Sequence, residues 1–87
     1  MKTVVITTEL SKDIKLPWVC RFHIKGWAQP AGEVYDLKNG QYLALCNSCS
    51  CGYSRRVCKG LSSSIAWIKK KLPESFPCEE LVYQLED

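Results

Sequence analysis

Apolar positions recur along this chain at a period of two through most of its length, and at three to four in one later segment. Residues 18–25 are the clearest case of the first. Trp18, Cys20, Phe22 and Ile24 alternate with Val19, Arg21, His23 and Lys25. Successive side chains of a strand point to opposite faces, so this segment predicts a strand with one core face and one basic, wet face. Residues 3–10 are rich in β-branched types and predict another strand. Residues 11–16 are polar, and Pro17 closes them as a loop. Residues 33–38 and 41–46 flank Asn39-Gly40, a pair favoured in two-residue type I′ turns. They predict a hairpin with Lys38 opposite Gln41, Leu37 opposite Tyr42 and Tyr35 opposite Ala44. Residues 53–58 offer a further strand, and residues 79–85 alternate again with Leu81, Tyr83 and Leu85 on one side.

Residues 61–72 break this rhythm. Leu61, Ile65, Ile68 and Leu72 fall at helical spacing, with Ala66 and Trp67 on the flank of the stripe. Ser62 or Ser63 is placed to cap the start, Lys69, Lys70 and Lys71 offset the dipole at the end, and Pro73 stops the helix. The pattern predicts an α+β domain: a mainly antiparallel four- or five-stranded sheet covered on one face by a single helix, about residues 62–72. The expected order is β-β-β-β-(β)-α-β, within one compact domain spanning 1–87. A chain of 87 residues, 46% hydrophobic and 24% charged, suits one globular domain and excludes a disordered one. No apolar run reaches the length of a membrane span or a secretory signal, so the expectation is a cytoplasmic protein with reduced thiols and no membrane partner.

The net +3 conceals an asymmetry: every Lys and Arg lies within residues 1–73, against Glu9, Asp13, Glu33 and Asp36. Residues 74–87 carry Glu74, Glu79, Glu80, Glu86 and Asp87 and no cation. A basic body suggests an anionic partner. Arg21, His23, Lys25, Trp27, Tyr53, Arg55, Arg56 and Lys59 are the candidate partner-binding residues. Arginine with Trp and Tyr on a sheet serves both base stacking and protein–protein hot spots.

Four of the six cysteines, Cys46, Cys49, Cys51 and Cys58, crowd into one run. Cys46 and Cys49 have the spacing of a zinc-knuckle pair, which Cys51 and Cys58 do not repeat. Cys20, His23 and Cys78 are possible distant ligands. The alternatives are reduced, buried thiols acting as small apolar residues, and disulfides. The expected cofactor is therefore none or one structural zinc ion. A thiol nucleophile has weaker support, because no helix pattern follows Cys49 to lower its pKa.

The chain shows no catalytic signature. It is expected to be a non-catalytic inhibitor or adaptor, monomeric or homodimeric, that docks a basic and aromatic sheet face onto a protein or protein–nucleic-acid complex. In type it is similar to small phage and mobile-element accessory proteins, including anti-CRISPR inhibitors; no motif assigns it to one family. The alternatives are a zinc-stabilised domain binding nucleic acid directly and, behind it, a small thiol-dependent enzyme.

Overall fold

A computed structural model describes residues 2–13, 15–48, 52–76 and 79–85, with the backbone alone at residues 2, 48, 52 and 53. Five strands come first: β1 (Lys2–Leu10), β2 (Trp18–Ile24), β3 (Gly32–Asp36), β4 (Tyr42–Ser48) and β5 (Gly52–Cys58). The helix α1 (Leu61–Lys71) follows, then a 3-10 turn (Leu72–Ser75) and the last strand, β6 (Glu79–Leu85). Among the described residues the fold is α+β with a single α-helix, as expected. The sheet, however, has six strands rather than four or five, in the order β5-β4-β3-β2-β1-β6. β1 to β5 form an antiparallel meander, while β6 lies parallel to β1 at the far edge. A parallel neighbour cannot be reached by a tight turn, and α1 makes the required crossover. No helix among the described residues is long and apolar enough to cross a membrane.

α1 lies over β4, flanked by β3 and β5. Beneath it the sheet contributes Ile6, Cys20, Phe22, Val34, Ala44 and Cys46, and the helical segment contributes Ile68 and Leu72, all of them buried. Gly32 makes this seating close. A Cβ built there would stand 2.9 Å from Ile68 Cγ2 and 3.3 Å from Phe22 Cδ2. At the other end of the sheet, Tyr83 of β6 meets Phe22 edge-on at 6.4 Å and donates its hydroxyl to the Lys69 carbonyl at 3.4 Å.

Three local expectations are corrected. The β3–β4 hairpin is shifted by one residue: Tyr35 pairs with Leu43 and Val34 with Ala44. Its loop is Lys38-Asn39-Gly40, with Lys38 and Gly40 both at positive φ. Two short side chains close it. Asp36 Oδ1 accepts from the Lys38 amide at 2.8 Å, and Asn39 Oδ1 accepts from the Gln41 amide at 3.1 Å. The packing reason is that this register buries Val34 and Ala44 on the same face.

The second correction lies in β2, where the register shifts between Trp18 and Cys20. An extra residue in one strand re-aims the side chains on either side of it. Trp18 therefore pairs with Tyr35 on the face away from the helix, while Cys20 stays with the core opposite Val34. The third concerns the helix start. Gly60, not Ser62 or Ser63, is the N-cap, and it makes no side-chain cap bond. Ser64 is fully buried, and its hydroxyl donates to the Gly60 carbonyl at 3.0 Å.

Candidate interaction surface

With the helix on one side, the other face of the sheet has no second layer among the described residues. Strand register assigns its members, since residues paired across a ladder share a face. One row crosses five strands as Glu9, Arg21, Glu33, Leu45 and Arg55. The next row crosses four as Trp18, Tyr35, Leu43 and Val57. The first alternates acid and base before ending in Leu45 and Arg55; the second is aromatic and aliphatic. Val57 is half exposed, whereas Trp18, Tyr35 and Leu43 keep part of their surface in water. Glu33, Tyr35, Leu43, Leu45 and Arg55 outline a shallow depression on this face.

The charged row is internally bonded. Arg21 Nε donates to Glu33 Oε2 at 3.0 Å, and the same oxygen accepts the Tyr35 hydroxyl at 3.0 Å. The Arg21 guanidinium lies 4.2 Å from the centre of the Trp18 ring, a cation–π contact. His23 Nε2 is 2.7 Å from Glu9 Oε1. Burial, and then the hydrogen bond and charge of Glu33, push the Tyr35 hydroxyl pKa up. Pre-ordered side chains of this kind lose less entropy when a partner docks.

The structure disperses the candidate partner-binding residues over several parts of the fold. Arg21, His23 and Arg55 lie on the open face, and Tyr53 is in register opposite Asn47 of β4. Glu9 and Glu33, on the flanking strands, make that face alternating in charge around β2 rather than uniformly basic. Arg56 shares its face with Ala44, so it lies on the helix side of the sheet; Lys59 follows at the link into α1. Lys25 is exposed in the turn after β2. Trp27 packs against the core, with its ring 6.0 Å from that of Phe76, so it is a structural residue at the sheet's margin. Tyr35, Leu43, Leu45 and Val57 carry no surface signal in the sequence, because their face depends on the hairpin register. Trp18 reads as a core residue from the alternation, on which a bulge leaves no mark.

Of the candidate metal ligands, Cys49 and Cys51 lie outside the described residues, as does the distant candidate Cys78. Cys46 and Cys58 are both buried on the helix side. The ladder does not bring these two together. Cys46 faces Ser54, and Cys58 faces Tyr42, four residues back along β4. At a rise of about 3.3 Å per residue the two are roughly 13 Å apart along the strand, whereas zinc holds each sulfur at about 2.3 Å. Among the described residues, no group of three His, Cys, Asp or Glu is arranged to hold a metal ion. Burial raises the Cys20 thiol to about 11, with the charge of Lys69 opposing it and that of Glu9 adding to it. Burial also raises Cys46. Both are protonated at neutral pH, the opposite of what a nucleophile or redox thiol requires.

No protein-family model, curated protein or solved structure matches this chain.

Proposed function

We propose that this protein is a non-catalytic interaction module, an inhibitor or adaptor, that docks the open face of its sheet onto a protein partner. The observation that carries this reading is the uncovered row Trp18–Tyr35–Leu43–Val57 beside the bonded row Glu9–Arg21–Glu33. Aromatic anchors with arginine, an apolar strip and a polar border are the composition of a protein–protein interface core and rim. Paired charges orient a partner without attracting a polyanion, so the face favours protein over bare nucleic acid. A protein–nucleic-acid machine is served equally well if the contacted surface is its protein. The similarity of type to phage and mobile-element accessory inhibitors belongs to the same reading.

The test is site-specific photocrosslinking. A benzophenone side chain replaces Leu43 on the open face or, as control, Lys12 in the β1–β2 loop. A crosslinked protein obtained from position 43 alone is then purified and titrated against wild type and Leu43→Glu. Loss of a buried anchor of about 2 kcal/mol corresponds to a weakening of about thirtyfold. An unchanged affinity in Leu43→Glu, with an unchanged thermal melt, rejects the open face as the docking surface.

A further inference from the structure

A second surface lies on the opposite side of the sheet, between the outer edge of β5 and α1. β5 ends the strand order, with β4 as its neighbour. Its outer N–H and C=O groups have no partner strand among the described residues, and such an edge is a template for pairing. α1 rises beside this edge because it follows β5 closely in sequence and turns back over β4. On the helix, Ser63, Ala66, Trp67 and Lys70 fall at i, i+3, i+4 and i+7, one stripe facing the edge. With Arg56 and Lys59 they line an open groove of about 630 Å³.

The chemistry of this groove has one sign. Arg56, Lys59 and Lys70 are exposed, none of them forms an ion pair among the described residues, and no acid lines the groove. This contrasts with the open face, where Arg21 and His23 are each matched to a carboxylate. The half-buried Trp67 and buried Cys58 supply apolar surface between the cations. An edge strand beside a helix-walled groove takes an extended peptide: the main chain extends the ladder, and alternate side chains enter the groove. The geometry points to the β5–α1 groove as the binding site for an acidic, extended segment of a partner protein, added to the sheet as a further strand. Its Glu or Asp side chains meet Arg56, Lys59 and Lys70, and its intervening apolar side chains lie beside Val57 on the other face.

The cations of this groove lie on the helix side, and the two surfaces share only Val57 at their common edge, so they are separable by experiment. The probe is fluorescein-labelled Glu-Val-Glu-Val-Glu-Val, titrated with the full chain and read by anisotropy. Its controls are the Lys-Val counterpart, the same acidic peptide N-methylated at every amide so that both edges are blocked, and oligo(dT). The expected result is saturable binding of the acidic peptide alone, weakened about tenfold or more by Arg56→Glu with Lys70→Glu. N-methylation removes the peptide's N–H donors and puts methyl groups on its edges while leaving the charge, so it too should abolish binding, with wild-type protein throughout. Leu43→Glu should leave the affinity unaltered. The inference is overturned by the absence of saturation at about 1 mM, by equal binding of the N-methylated or Lys-Val peptide, or by tighter binding of oligo(dT).

Discussion

Replacing Gly32 by alanine tests the contact that seats α1 on the sheet and so leaves the other face open. The added Cβ would lie 2.9 Å from Ile68 Cγ2, 3.3 Å from Phe22 Cδ2 and 3.4 Å from the Leu45 carbonyl oxygen. Carbon atoms in contact prefer about 3.5–4.0 Å, so Ile68 must retreat by more than half an ångström. Ile68 is fully buried and Phe22 is fully buried, so neither has free space into which to move. Two effects oppose each other. Removing a glycine from a strand favours folding by roughly 0.5–1 kcal/mol through the unfolded chain. Overpacking a tight core costs about 1–3 kcal/mol. Overpacking wins, and Gly32→Ala should be destabilised by about 1–2 kcal/mol, a fall in Tm of roughly 4–16 °C for a domain of this size. Urea unfolding followed by circular dichroism measures it. The companion variant Ile68→Ala costs about 2–5 kcal/mol alone, but it opens the space that the new methyl needs. The double variant should therefore be more stable than the sum of the two single losses implies. If Gly32→Ala is stabilising, or if the two losses add, the helix does not press on this face at Gly32. The assignment of covered and open faces would then fail with it.

The remaining expectations concern titration and the helix start. Cys20 is raised above its ordinary value of 9.0 to about 11, so the folded state holds the neutral thiol more tightly than the unfolded state does. That stabilisation is complete below pH 9, and it is lost as the pH rises toward 11; a shift of this size corresponds to about 2–3 kcal/mol. Urea midpoints at pH 8 and pH 11 should therefore fall further for wild type than for Cys20→Ala, and parallel profiles would contradict the burial of this thiol. Glu33→Gln removes the carboxylate that accepts the Tyr35 hydroxyl. It should move the Tyr35 pKa downward in an ultraviolet titration, and an upward shift would show that Glu33 does not hold the neutral phenol. Ser62→Ala should be neutral or slightly stabilising, since Gly60 is the N-cap; a loss of about 1 kcal/mol in chemical denaturation would restore Ser62 as the cap. Ser64→Ala should stay within about 0.5 kcal/mol of wild type, because the Gly60 carbonyl keeps the Ser64 amide at 3.1 Å and alanine is the better helix former.

What was legible in the sequence followed from local periodicity. Alternation in residues 18–25 and 79–85 marked strands, and the three- to four-residue stripe from Leu61 to Leu72 marked the helix and its buried side. These signals act within one element, through the geometry of consecutive side chains. The candidate site was legible only in part. Arg21, His23 and Arg55 do share the open face, but Arg55 and Arg56 had to part, because neighbours in a strand point to opposite sides. Trp27 carried no mark that its ring would be taken up by Phe76, distant in sequence.

Tertiary structure decided the rest, through relations between elements that no single segment encodes. A bulge sent Trp18 from the core row to lie over Arg21, and the shared burial of Val34 and Ala44 chose the hairpin register over the one that Asn39-Gly40 favours locally. The crossover carried β6 to the far edge, parallel to β1, where a continuous parallel ladder and the Tyr83–Phe22 contact reward it. Strand type, helix face and basic bias were thus fixed by residues acting locally. Which face stayed open, which cations acquired a carboxylate, and which came to line the groove between β5 and α1 were settled when the strands chose their neighbours.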